Sequence, residues 1–147
     1  MELERSIVGE ILSGGQLSHP VILCFSTGPD IPMFASPMAR SPMPACGMIF
    51  EEGFANKLSA AMSENPAVHD GATMLLREAP SRRYQVAGWS YRLFPPPGAL
   101  APPNRGTAFN SCLAMSNIPT VDGLLLLATS GAWKFVCGKF EEFHFAP

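Results

Sequence analysis

The sequence predicts a mixed α/β fold, a mixed β-sheet flanked by helices. Three observations carry that reading. Segments of helical period and segments of strand character interleave along the chain, and two pairs of strands are joined by short turn sequences. In addition, 47% of the 147 residues are apolar and 15% charged, enough to bury a core between layers. A chain of this length fits one domain spanning 1–147.

Leu3, Ile7, Val8, Ile11 and Leu12 share one face of a short amphipathic helix that Gly14-Gly15 stops. Residues 21–25 (Val-Ile-Leu-Cys-Phe) follow Pro20 and end before Gly28-Pro29, as a buried strand does. Five prolines in 29–44 forbid a long helix and leave an irregular loop or edge segment. Residues 51–62 read as a helix with Phe54, Leu58, Ala61 and Met62 on one face, closed by Asn65-Pro66. Two strands, 73–77 and 84–93, form a hairpin about a turn at 80–83. Residues 95–103 make a stiff proline-rich connector. Thr107 is a plausible cap for a helix over 108–117, which Pro119 closes. An apolar strand at 121–129, a turn at Ser130-Gly131 and a strand at 132–137 give the second hairpin.

Composition excludes several classes. Ten Lys and Arg against twelve Asp and Glu, with a net charge of −2, leave no basic excess for a nucleic-acid backbone. The longest apolar run, 124–128, is far short of the roughly 20 residues that span a bilayer, so no membrane partner is expected. The N-terminus is acidic where an export signal is basic, which suits a cytoplasmic protein. Cys24, Cys46, Cys112 and Cys137 form no C-x-x-C pair, so a zinc or redox role is disfavoured. Cys24 and Cys137 lie in apolar runs and read as small buried hydrophobes. Met33, Met38, Met43 and Met48 recur every five residues; thioethers suit copper(I), but with no histidine among them gap-filling is the favoured role.

Little else points to chemistry. His19 and His144 have no sequence partners and read as surface or packing residues, Glu51-Glu52 and Glu141-Glu142 are not dyads, and no phosphate-loop or nucleophile-elbow motif occurs. His69-Asp70-Gly71-Ala72 stands apart. It puts a carboxylate at the mouth of an apolar strand, with a glycine that lets a backbone or ligand come close. A carboxylate suits hard divalent cations, which bridge phosphates, although Asp-Gly alone is most often a turn.

From Phe54 to Val136 the chain resembles the catalytic domain of the diadenylate cyclases, which join two ATP molecules into cyclic di-AMP. The resemblance rests on Asp70-Gly71-Ala72 opening a strand, then on Gly106-Thr107 opening a helix with Leu113 and Ser116 in place, then on the strand pair 122–127 and 131–136. It implies a diadenylate-cyclase-like fold. It also implies nucleotide contacts at Asp70, Gly71, Ala72, Gly106, Thr107, Asn110, Thr129 and Ser130. Asp70 would bind magnesium or manganese and help activate the attacking 3′-hydroxyl. The family's Arg-His-Arg after Gly-Thr is replaced by Ala108, Phe109 and Asn110, and its Ser-Glu-Glu loop shrinks to Thr129-Ser130. Losing such clamps removes charge stabilisation worth factors of about 100–1,000 each.

The expected function is therefore a catalytically degenerate domain that binds or senses a nucleotide, cyclic dinucleotide or other nucleotide-derived signal. Phe109 either stacks on a base or belongs to the core. An active nucleotidyltransferase making a dinucleotide from ATP with a divalent metal is the alternative, with Arg82, Arg83 or Arg105 as replacement phosphate contacts. A non-catalytic interaction module is the third reading. A homodimer is compatible with all three, because family enzymes work with two domains face to face.

Overall fold

A computed structural model describes residues 2–14, 19–96 and 105–144. Its elements are α1 (Glu2–Ser13), β1 (Val21–Thr27), β2 (Ala35–Pro37), α2 (Phe54–Glu64), a 3₁₀ turn (Pro66–His69), β3 (Ala72–Arg77), β4 (Gln85–Leu93), α3 (Thr107–Met115), β5 (Val121–Ala128), β6 (Gly131–Val136) and β7 (Lys139–Phe143). The strands form one seven-stranded sheet in the order β2-β4-β3-β1-β5-β6-β7. Only β1 and β3 run parallel, with Ile22 opposite Ala72 and Thr27 opposite Arg77; every other neighbouring pair is antiparallel.

The strand pleat divides the core into two layers. Leu23 and Phe25 of β1, Leu75 of β3 and Leu125 and Leu127 of β5 pack against Ile7, Val8 and Ile11 of α1 and Phe54, Leu58 and Ala61 of α2. The alternate residues Cys24, Met74, Leu124 and Leu126 pack against Phe109, Cys112, Leu113 and Met115 of α3. Central strands covered on both faces need unbroken apolar runs, which is why 21–25 and 124–127 lack polar alternation. Both edges are blunted. Strand β2 is three residues long and ends in Pro37, and β7 exposes Lys139, Glu141 and Glu142.

Several expectations change. The aromatic tail becomes β7, paired with β6 through Phe135 and Phe140. Cys137 is not a buried hydrophobe: it sits exposed in the β6–β7 turn at φ 49°. Thr107 is the first residue of α3 rather than its cap; Gly106 holds that position with no side-chain cap. Most of the proline-rich connector, 97–104, lies outside the described residues. The methionines separate, Met48 against the α1/α2 core and Met38 at Gly71 on the α3 side. Met33 and Met43 are exposed.

All four cysteines are free, Cys24 and Cys112 buried and Cys46 and Cys137 exposed. Burial pushes the Cys24 thiol up to about 12, and Cys112 also rises, by burial and then by its neighbour Cys24. A thiolate-directed reagent at pH 8 is therefore expected to modify Cys46 and Cys137 in the native protein, and Cys24 and Cys112 only in denaturant. Peptide mapping of the modified protein checks this.

Candidate functional site

The parallel pairing of β1 with β3 brings their amino ends to one end of the sheet, beside the carboxyl end of β4 and the start of α3. A cleft of about 550 Å³ opens there. Its walls include Asp70, Gly71 and Ala72 from the start of β3, and Thr107, Ala108 and Ser111 from α3. Tyr91 and Arg92 of β4, together with His19 and His69, complete the rim.

Gly71 is required by local geometry. Its φ is +87°, and a Cβ there would lie 2.6 Å from both the Tyr91 carbonyl oxygen and Met38 Cε. The close approach that the Asp-Gly pair suggests is therefore made first by the protein itself. Gly88 plays a related part: the Tyr91 ring lies over it, with Cε1 2.2 Å from where a Cβ would sit. Strand β4 is irregular here, with register shifts against β3 on both sides of Met74.

Asp70 is not alone at the mouth. Arg40 Nη2 donates to Asp70 Oδ2 at 3.1 Å. Arg40 Nε donates to Ser90 Oγ at 3.0 Å, and that hydroxyl donates to the Asp70 carbonyl oxygen at 2.5 Å. His69 packs against His19 with the rings tilted at 51° and their centroids 3.7 Å apart. Burial, and then the neighbouring His19, hold the His69 pKa below its ordinary value, which keeps the ring neutral at pH 7. Among the described residues no three His, Cys, Asp or Glu side chains converge in a set able to hold a metal ion. Any divalent ion at Asp70 would depend on phosphate and water for its remaining ligands.

The helix meets the cleft with its amino end. Gly106 offers no side-chain cap, so the first-turn N–H groups of α3 carry their partial positive charge with no side chain satisfying them. Ala108 forms cleft wall where the resemblance implies a cation. Phe109 is 4% exposed and packs edge-to-face on Phe135 at 4.9 Å and Phe140 at 5.0 Å, so it belongs to the core.

Of the residues expected at the site, Asp70, Gly71, Ala72 and Thr107 meet in the cleft, and Gly106 adjoins it. Asn110, Thr129 and Ser130 are not on its walls. Asn110 Nδ2 donates to the Arg105 carbonyl oxygen at 3.4 Å. Thr129-Ser130 form the β5–β6 turn, two strands along from β3. Arg82 and Arg83 belong to the β3–β4 loop at the opposite end of the sheet, where Arg83 pairs with Glu51 at 2.8 Å. The Arg105 guanidinium lies over the Phe109 ring, 4.7 Å from its centroid.

Three cleft residues, and Arg40 paired with Asp70 at the mouth, were not legible in advance. Arg40 is the only basic residue of the proline-rich 29–44 segment, which is a usable signal. His19, Tyr91 and Arg92 arrive through strand pairing alone. A larger cleft, about 690 Å³, lies at the other end of the sheet among Phe25, Phe50, Arg77, Arg83 and Tyr84. It contains none of the motif residues.

No known sequence family matches the chain, and no curated protein matches its sequence. Solved structures do match its fold. A hypothetical membrane spanning protein from Bacillus cereus superposes with a TM-score of 0.68 at 10% identity, over 98% of this chain and 63% of that one. This chain thus spans less than two thirds of that protein. A double mutant of DacA from Staphylococcus aureus, a diadenylate cyclase, superposes with a TM-score of 0.58 at 10% identity, over 94% of this chain and 81% of the other. The fold is α/β and diadenylate-cyclase-like. Among the described residues, no helix is long and apolar enough to cross a membrane.

Proposed function

We propose that this diadenylate-cyclase-like chain binds a nucleotide or nucleotide-derived signal in the cleft between β3 and α3, without condensing two ATP molecules. One observation carries the reading: Asp70-Gly71-Ala72 and Thr107, far apart in sequence, wall the same cleft. Two features suit an anionic ligand. The uncapped start of α3 adjoins the cleft, and Arg92 stands on its wall, its guanidinium with no hydrogen-bond or ion-pair partner among the described residues. The absence of turnover follows from α3, whose Ala108, Phe109 and Asn110 put no cation where charge on a transferring phosphoryl group would need one.

A second reading, an active nucleotidyltransferase, draws on the Asp70 carboxylate, whose side chain is 66% exposed at the cleft mouth. Formation of a dinucleotide from ATP with manganese would favour it.

The test is a thermal-shift panel of ATP, GTP and cyclic dinucleotides, with and without manganese, on the wild type and Arg92→Ala. A ligand at about 100 times its Kd contributes roughly 2.7 kcal/mol, a plainly visible shift. Arg92 is exposed, so its removal leaves folding intact. Loss of a charged hydrogen bond to phosphate is expected to weaken binding about 10–100-fold. A flat panel would overturn the proposal and favour an interaction module.

A further inference from the structure

At the mouth of the cleft, a guanidinium is seated on Asp70, the carboxylate to which the cyclase resemblance assigns a divalent cation. We propose that Arg40 is the resident cation of this site: seated on Asp70, it takes the place of a metal ion, so that a phosphate-bearing nucleotide is held by Arg40 and Arg92 without magnesium or manganese. The inference rests on the nucleotide reading above and names its charge source.

The geometry favours a built-in cation over an incidental surface pair. The Arg40 side chain is 20% exposed, whereas its Asp70 partner is 66% exposed. Arg40 Nε is bonded to Ser90 Oγ, and Nη2 reaches both Asp70 Oδ2 and, at 3.7 Å, Met38 Sδ. Ser90 is fully buried and holds a left-handed φ of 59°. Its single hydroxyl accepts from Arg40 and donates to the Asp70 backbone, so both ends of the pair hang on one rigid residue. A loose exposed pair loses side-chain entropy when it forms. Here the seat already fixes the guanidinium, and Nη1 has no partner among the described residues. Its N–H groups remain for a phosphate oxygen.

Charge points the same way. Asp70 is balanced by Arg40, and Arg92 on the cleft wall adds a further positive charge. The wall is thus net positive with no metal present, while a divalent ion at Asp70 would meet the Arg40 charge a few ångströms away. With Asp70 already paired and, among the described residues, no set of three acidic, imidazole or thiol side chains converging there, the residues do not fit a metal held by the protein.

ATP titrated calorimetrically into the full chain, once with EDTA and once with magnesium, tests this. Equal affinity in both buffers is expected. Arg40→Met should weaken ATP binding in EDTA about 10–100-fold, and magnesium should then restore part of it, because Asp70 is freed. Arg40→Lys keeps the charge but not the fork seated on Ser90 and Asp70, and should retain more metal-free binding than Arg40→Met but less than the wild type, while its melting curve confirms folding. ATP binding that requires magnesium in the wild type and ignores Arg40→Met overturns the inference but leaves the nucleotide reading standing. No ATP binding in either buffer overturns both.

Discussion

Replacing Gly71 with alanine is expected to destabilise the protein by about 2–5 kcal/mol, through two additive costs. An L-residue in the left-handed region costs about 1–2 kcal/mol, and Gly71 sits at φ +87°. Its new Cβ would also lie 2.6 Å from the Tyr91 carbonyl oxygen and from Met38 Cε. Met38 is flexible and can move. The Tyr91 carbonyl belongs to a strand paired with β3 through Ala72, so relief there must shift the backbone; overpacking of this kind costs about 1–3 kcal/mol. Urea denaturation measures the sum. A loss below about 0.5 kcal/mol, the range of an ordinary surface substitution, would mean that the β3–β4 junction is not packed as described.

Phe109→Ala has an expected effect of about 3–5 kcal/mol, the usual cost of deleting a buried phenyl ring. The ring is 4% exposed and lies within 6.0 Å of the Phe135, Phe140 and Trp133 ring centroids. Were Phe109 instead a base-stacking residue, its truncation would spare stability and abolish ligand binding. Comparing the melting shift with the loss of affinity separates these roles. Phe109→His, which returns the imidazole implied by the cyclase resemblance, should also destabilise. The ring would bury a polar atom among aromatic carbons, at about 1–3 kcal/mol if unpaired. Restoring the cyclase motif is therefore incompatible with this core, whatever it did for phosphate.

The layers were legible where periodicity is strong. The apolar stripe of α1, the Phe54–Leu58–Ala61 face of α2 and both hairpins follow from local pattern alone. Strand β7 was hidden because Lys139-Phe140-Glu141-Glu142-Phe143 is an exposed edge with charges on it, so burial leaves no alternation to read. At the site, the Asp-Gly and Gly-Thr segments were visible as motifs. Arg40, Tyr91 and His19 were not, since only the parallel β1–β3 pairing, the antiparallel β3–β4 pairing and the seat at Ser90 bring them to Asp70, and such long-range register leaves no local trace. Thr129 and Ser130 lie off the cleft walls for the complementary reason. The resemblance fixes their order in the chain, but β1 and β5 separate their turn from the β3 mouth.

Amide chemical-shift mapping during an ATP titration tests the central claim most directly. Shifts confined to 38–40, 69–72, 90–93 and 107–111, with Phe50, Arg77 and Tyr84 unchanged, are the result expected for a nucleotide seated between β3 and α3. Saturable shifts around Phe50 and Tyr84 instead, at the far end of the sheet, would contradict it.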